Sequence, residues 1–333
     1  MDNFYNGNIL LSKKDINNNT PDTFIVTSNR SDGKTTFFRK FAADDYLRHN
    51  HETIFLTRYN SNIKQYSSDI LETLHNHTHI KNLVLKNYKT HSVININNKP
   101  AIYISAFNSS EHIRNTSNMY NNVYNIIVDE FQSEIDNYVP REITKLQSIR
   151  TSIERGKNQH TRYTRLILCG NPYDILNPYY VALGISDRIT PETKWLRGTG
   201  WVLQQRINQE IINEWKNKNN TDFDDSDYVQ YAILGQYKND YSLIEKIPSN
   251  CEYIATLIIN KNIYGIRAYS EFIHISKKYD PNFKNVFNDN INDKNSTYFT
   301  QSDLYNLLKL LNINKKLMFD NLETKSEILK ILK

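Results

Sequence analysis

Cysteine is close to absent. Cys169 and Cys251 are the only two in 333 residues, which excludes a disulfide framework and leaves no basis for a four-ligand zinc site. No apolar run approaches the ~20 residues that a membrane-spanning helix requires. The opening residues, Met1-Asp2-Asn3-Phe4-Tyr5, lack the basic and apolar regions of a signal peptide. An intracellular, soluble chain with no membrane partner is the expectation. Neither sign of charge dominates: the formal net charge of +5 permits contact with nucleic acid without requiring it.

What is present points to a folded protein. A hydrophobic share of 39% beside 23% charged residues suits a globular chain, and 333 residues suffice for one large domain or two of ordinary size. Asparagine is frequent, as in Asn17-Asn18-Asn19 and Asn217-Lys218-Asn219-Asn220. It favours turns, and the bias reads first as that of an AT-rich genome.

Residues 23–28, Thr-Phe-Ile-Val-Thr-Ser, are the β-branched and aromatic run of a buried strand. A polar loop over 29–33 and a helix over 34–47 follow. Further strands are predicted at 52–58, 125–128 and 165–169, helices at 69–79 and 143–155, and a hairpin from 92–96 and 101–105. Strands alternating with helices imply an α/β fold, a largely parallel sheet covered on both faces. The pattern changes after about residue 205. A helix is predicted over 207–216, and the polar, acidic stretch 217–227 is the linker candidate. Short antiparallel strands at 251–259, 263–269 and 271–276, then a tail with helical periodicity over 302–333, predict a second, α+β domain.

The first strand, its polar loop and Gly33-Lys34-Thr35 at a helix start stand in the order of a phosphate loop, the P-loop or Walker A element. Gly33 admits backbone close to phosphates, Lys34 reaches the outer phosphates, and the Thr35 hydroxyl ligates Mg²⁺. The signature is incomplete, because Ser28 stands where glycine is expected. The second element is Asp129-Glu130 directly after the apolar strand ending at Val128. Two adjacent carboxylates at the end of a buried parallel strand are costly unless they serve a cation or a reaction. In ATPases with a catalytic glutamate, the ASCE class, the aspartate of this Walker B pair holds Mg²⁺ and the glutamate polarises the attacking water. Asn171, just past the 165–169 strand, is positioned to touch the γ-phosphate. Arg150, Arg155, Arg162 and Arg165 are each candidates to supply positive charge to the transition state.

Several segments together resemble a known family. Ser117-Asn118-Met119-Tyr120-Asn121-Asn122-Val123, then Ile127-Val128-Asp129-Glu130-Phe131, Asn137-Tyr138-Val139-Pro140-Arg141-Glu142-Ile143 and Asn177-Pro178-Tyr179-Tyr180 are similar in order and spacing to the phi29-like phage DNA encapsidation ATPases. The resemblance spans about residues 20–185 and stays collinear beyond. It implies a homo-oligomeric ring, a pentamer by the family pattern, that uses ATP and Mg²⁺ to drive double-stranded viral DNA through a capsid portal. Such a motor works in the host cytoplasm and transiently at the procapsid portal vertex, with a structural packaging RNA as a further candidate partner. The implied architecture is a RecA-like ATPase domain (1–205), a small helical linker (206–230) and a degenerate RNase H-like domain (231–333) that docks to portal or RNA.

Carried over residue by residue, the resemblance implies ATP contacts from Ser28, Asn29, Arg30, Ser31, Asp32, Gly33, Lys34, Thr35 and Thr36, with Arg58 as a nucleotide-sensing candidate. Thr35 and Asp129 would hold Mg²⁺, Glu130 would be the base, Arg155 the finger acting on a neighbouring subunit, and Asn171 the coupling residue. Arg114, Asn115, Ser117 and Asn118, in a predicted loop, would face the DNA channel, touching phosphates rather than reading bases. Departures are Ser28 and Ser31 in place of family glycines, a small insertion over 160–163 that could shift the finger to Arg162, and Asn60 where the family has a trans-acting lysine. In the last domain the strand 254–259 carries no acid, Arg267 occupies the next strand, and Asp280 and Asp289 fall in loops. A two-metal nuclease needs acids on its strands, so no nuclease activity is expected, and Lys277 and Lys278 are candidate RNA contacts. Another RecA-like translocase or helicase, or a non-hydrolysing nucleotide-binding scaffold, are the alternatives.

Overall fold

β1 (Thr23–Ser28) is buried along its whole length, the condition of a parallel strand covered on both faces. The computed structural model describes residues 4–134, 137–155, 161–190, 193–218, 228–237, 243–293 and 295–332. It forms two compact units, Met1–Lys238 and Asn239–Lys333.

In the first unit a short α1 (Asn8–Leu11) precedes β1. α2 (Lys34–His49) begins directly after the loop and ends at Asn50, which takes φ 56° and returns its N–H to the carbonyl of Tyr46, a left-handed helix cap. β2 (Glu52–Thr57), α3 (Ile63–His77), β3 (Leu83–Asn87), β4 (Ser92–Ile96) and β5 (Lys99–Ala106) follow. The β4–β5 hairpin turns at Asn97 and Asn98, both at positive φ (51° and 64°), as a two-residue turn between twisted strands demands. Then come α4 (Ser110–Asn115), β6 (Val123–Asp129), α5 (Glu142–Glu154), β7 (Arg165–Gly170), α6 (Pro178–Leu183), β8 (Trp195–Gly198), β9 (Trp201–Arg206) and α7 (Gln209–Lys218). α6 starts where the Asn177 side chain accepts from the N–H groups of Tyr179 and Tyr180, with proline at the first helical position.

Among the described residues these strands make one nine-stranded sheet in the order β3-β4-β5-β2-β6-β7-β1-β9-β8. From β5 through β9 every neighbouring pair is parallel; β3, β4 and β8 pair antiparallel at the margins. One strand, β7, separates β1 from β6. Phe24, Val26, Phe38, Phe55, Ile104, Ile127 and Ile167 belong to a core between sheet and helices.

The second unit is built on β10 (Glu252–Ile259), β11 (Asn262–Tyr269), β12 (Phe272–Ser276), β13 (Val286–Asn288), β14 (Thr297–Tyr298), α8 (Asp303–Ile313), β15 (Leu317–Phe319) and α9 (Leu322–Ile331). Its sheet runs β14-β13-β10-β11-β12-β15. β10, β11 and β12 are antiparallel, whereas β13, β14 and β15 join parallel. Leu257, Tyr264, Ile266, Phe299, Leu308 and Phe319 lie in its own core. Asp289, expected to be an idle loop acid, accepts the N–H of Asn260 at 2.8 Å and so holds the β10–β11 turn. Asp280 likewise accepts from Asn282 at 2.9 Å. Lys277 is paired with Glu323 at 2.5 Å.

Two sequence expectations change. The segment predicted as a channel loop is helical, with α4 followed by a 3₁₀ turn at Ser117–Tyr120. The first compact unit extends to Lys238, so the described residues of the stretch 206–230 pack within it; 219–227 of the linker candidate lie outside the described residues.

At the N-terminal end of β2, opposite the strand ends that carry the loop, the buried Glu52 carboxyl is held up to about 7, first by desolvation, against hydrogen bonds from Asn122 and Tyr103 and the charge of Arg162. A carboxyl raised on folding favours the fold most below its unfolded value and loses that advantage as pH rises through the folded one. Thermal unfolding should therefore show stability declining from about pH 5 to pH 8, and Glu52→Gln should flatten the decline. An unchanged pH slope in Glu52→Gln contradicts this assignment.

Candidate functional site

Because β2, β6, β7 and β1 are parallel, their C-terminal ends share one edge. There the loop 29–33, the Asp129-Glu130 pair and Asn171 gather around a cleft of about 500 Å³. Arg30, Ser31, Asp32, Gly33, Lys34, Thr35, Thr36, Asp129, Glu130 and Asn171 line it, joined by Phe4, Tyr5, Phe37, Lys40 and His77.

Gly33 sits at φ 92° at the head of α2, a conformation that L side chains rarely adopt. It delivers Lys34 into the cleft. The Lys34 Nζ donates to Ser28 O at 3.0 Å, Ser28 Oγ at 2.8 Å, Asn29 O at 3.2 Å and Asn171 Oδ1 at 3.3 Å. These acceptors are neutral, and among the described residues Lys34 has no carboxylate ion pair. Desolvation lowers its pKa to about 8, opposed by the charges of Asp32, Asp129 and Glu130. The ammonium is thus placed and uncompensated at short range.

Asp129 ends β6 with its carboxylate shared among three donors. Thr35 Oγ1 lies 3.1 Å from Oδ1, Cys169 Sγ 3.2 Å from Oδ1, and Tyr66 OH 2.9 Å from Oδ2. Burial, then the Asp129 charge, pushes both the Tyr66 hydroxyl and the Cys169 thiol well above their ordinary values, so both remain donors. Hydroxyl and carboxylate oxygens converging here are the hard donor set of a Mg²⁺ site, and Lys34 has the charge to meet phosphates. The residues present fit a magnesium nucleotide.

Glu130 takes φ 56°, a conformation that costs roughly 1–3 kcal/mol for a residue other than glycine. Arg58 holds it there, donating to the carbonyls of Glu130 at 2.9 Å and Phe131 at 2.7 Å while pairing with Glu142 at 3.3 Å. Arg58 therefore grips the backbone that carries the acid. Although Glu130 opens onto the cleft, desolvation and the charges of Asp129 and Glu134 raise its carboxyl pKa, with Arg30 and Arg58 opposing.

The other loop residues divide. Ser31 faces the cleft at φ 68°, taking the left-handed conformation for which the family uses glycine. Ser28 is buried beneath Lys34. Asn29 is fully buried and turns its amide to the carbonyls of Asn208 and Ile233, at 3.0 and 3.1 Å. Asp32, also buried, pairs with Arg206 at 3.2 Å and accepts from Asn208 at 2.9 Å. Arg30 donates from its side chain to Tyr228 OH at 2.7 Å.

Of the arginines weighed from sequence, three have partners within the chain. Arg150 pairs with Glu154 at 2.7 Å and Asp22 at 3.3 Å. Arg162 donates to the carbonyls of Ile153 at 3.0 Å and Tyr120 at 2.8 Å. Arg165 lies over the rings of Phe41 and Tyr124. Arg155, at the end of α5, is exposed and makes no ion pair or hydrogen bond among the described residues; residues 156–160 lie outside them. Arg114, Asn115 and Asn118 are exposed and Ser117 half-buried, on the helical crossing from β5 to β6 and away from the cleft lining. Tyr66, Arg206 and Asn208 carry no motif, and sequence reasoning missed them.

Fold and site together define a mixed α/β protein with a parallel-rich sheet and a lysine–carboxylate cleft at the strand ends. The chain belongs to the Podovirus DNA encapsidation protein (Gp16) family, which it matches over residues 1–333. It is 25% identical over 317 residues to the DNA packaging protein of Bacillus phage B103, covering 89% of this chain and 92% of that one. Its fold is similar to a chain of the bacteriophage phi-29 viral genome packaging motor assembly, with TM-score 0.59, 17% identity and complete coverage of both chains. The Phi-28 gp11 DNA packaging motor is similar with TM-score 0.56 and 18% identity, covering 100% of this chain and 99% of that chain.

An anionic phosphate favours the charged ammonium, so nucleotide binding should restore a proton to Lys34. At pH near 8, where the free lysine is half deprotonated, calorimetry in buffers of different ionisation enthalpy should detect proton uptake on nucleotide binding, and affinity should fall as pH rises further. Binding without proton exchange across that range contradicts the placement of Lys34 against phosphate.

Proposed function

We propose that this chain is the ATP-hydrolysing motor of viral DNA packaging, acting as a homo-oligomeric ring, a pentamer by the family pattern, on double-stranded DNA at a capsid portal in the host cytoplasm. The observation that carries the reading is the meeting of Lys34, Thr35, Asp129 and Glu130 in one cleft in a member of a DNA encapsidation family. The strand order, with one strand between β1 and β6, supports the RecA-like, ASCE assignment. In the smaller unit, three antiparallel strands flanked by three joined parallel support a degenerate RNase H-like unit whose role is docking, to the portal or a packaging RNA.

Backbone N–H groups at the start of α2 and the Lys34 ammonium bind the phosphates. Thr35 and Asp129 would hold Mg²⁺, which when bound offsets phosphate charge. Glu130, ionised, accepts a proton from the attacking water, and its raised pKa makes it a stronger base than an ordinary surface glutamate. Arg58 keeps that carboxylate in place through the backbone, and Asn171, bonded to Lys34, registers the phosphate's presence. Arg155, exposed and without an ion pair among the described residues, supplies positive charge to the neighbour's site. Arg114, Asn115, Ser117 and Asn118 offer phosphate contacts to DNA of any sequence.

Glu130→Gln should leave nucleotide binding intact and lower ATP turnover by about a hundredfold or more. Wild-type turnover should be stimulated by double-stranded DNA. Wild-type turnover no higher than that of Glu130→Gln excludes the enzyme, and stimulation by single strands alone points to a strand-separating enzyme instead. The finger is tested by mixing. Arg155→Ala and Glu130→Gln subunits, each inactive alone, should regain part of the activity together, and no regain contradicts action across the interface.

A further inference from the structure

The loop 29–32 is fastened from behind more heavily than it is exposed in front. Asn29 donates to the carbonyls of Asn208 (3.0 Å) and Ile233 (3.1 Å) and accepts the N–H of Asn208 (2.9 Å). The N–H of Arg30 donates to Ala232 O at 2.6 Å. Asp32 takes Arg206 at 3.2 Å on one oxygen and the Asn208 amide at 2.9 Å on the other. Asn29, Asp32 and Asn208 are 0%, 1% and 8% exposed, so these bonds form in low dielectric, where a lost partner is expensive.

Asn208 is the junction. Its side-chain oxygen accepts the N–H of Glu210 at 3.1 Å, at the head of α7. One side chain, just past the end of β9, therefore joins the loop to a helix start. The π-helical turn Val229–Ile233 is bonded to the same loop through Ala232 and Ile233, and Gly235 at φ 69° lets the chain pass close to Asn29. Beyond it the sequence continues into the second unit.

We propose that Asn208 is a positioning residue for nucleotide binding: its bond to Asp32 sets the loop that Asn29 and Arg30 tie to the Val229–Ile233 turn, so that loop and turn respond to nucleotide as one body. The loop has serine where flexible glycines are usual, so its shape is set by these distant partners rather than by its own sequence. Phosphate settling on the N–H side of the loop shifts Asn29 and Asp32, which carry Asn208 and the turn with them. Asn29 and Asp32 act through the loop backbone and do not touch nucleotide with their side chains. The inference rests on the ATPase reading above.

The test measures MgATP affinity, melting temperature, and hydrogen exchange of residues 228–237 with and without nucleotide in the full chain. In the wild type, nucleotide should raise protection of that segment. Asn208→Ser keeps an oxygen for the Glu210 N–H but cannot reach Asp32. It should bind nucleotide about tenfold more weakly and lose the nucleotide-dependent protection, with the melting temperature lowered by the loss of one buried hydrogen bond. The double variant Asn208→Asp with Asp32→Asn reverses donor and acceptor at unchanged net charge, and should recover both readouts. It also serves if Asn208→Ser does not fold. Wild-type affinity and protection in Asn208→Ser overturn the proposal, as does a folded double variant that recovers neither. A wild type that binds no nucleotide contradicts the ATPase reading itself, a separate and recognisable failure.

Discussion

An ammonium ion buried at the end of a parallel sheet has to be solvated by the protein, and in this chain that requirement organises the surrounding cleft. Lys34 is satisfied by two carbonyls, a hydroxyl and an amide oxygen, all neutral. Direct pairing with a carboxylate would cancel the charge, whereas neutral acceptors hold the ion and leave its field available. Asp32, Asp129 and Glu130 keep the group charged from a distance without occupying it. The cleft is thus prepared for an anion that brings its own countercharge.

The same logic explains why the acids at the end of β6 behave differently although they are neighbours. Asp129 is ringed by three donors and fixed, a state suited to holding a cation. Glu130 has its backbone gripped by Arg58 while its carboxylate remains open to the cleft, a state suited to moving a proton. Positive φ at Glu130 and Ser31 places local backbone strain on the two segments that line the site. Such strain persists only where surrounding contacts over-determine it, here Arg58 for one and, for the other, the buried bonds of the flanking loop residues.

Much of this was legible in the sequence. β1, β6 and β7 each hold a short apolar run (24–26, 126–128 and 166–168) of the kind buried parallel strands need, and their ends mark the cleft. The hairpin at Asn97-Asn98 was legible because only a few residues tolerate its turn. β9 was not, because Gln204 and Gln205 interrupt its apolar signature; both are buried, and accept from Tyr5 OH and Tyr237 OH at 3.2 and 3.3 Å. Tyr66 reaches Asp129 from 63 residues away and Asn208 reaches Asp32 from 176, with no periodicity to reveal either. Asn29 and Arg58 were legible as polar residues near a nucleotide loop, but the groups they bond are backbone carbonyls, which no residue-type pattern encodes.

On the proposed function, Lys34, Thr35 and Asp129 form one seat for a magnesium nucleotide, with Glu130 beside its outer phosphate. A structure of the chain with Mg²⁺ and a non-hydrolysable ATP analogue tests it most directly. Phosphates are expected against the N–H groups of residues 31–35 and Lys34 Nζ, with Thr35 and Asp129 holding the metal and the Glu130 carboxylate facing the terminal phosphate. Nucleotide bound elsewhere, or phosphates seated away from Lys34, contradicts it.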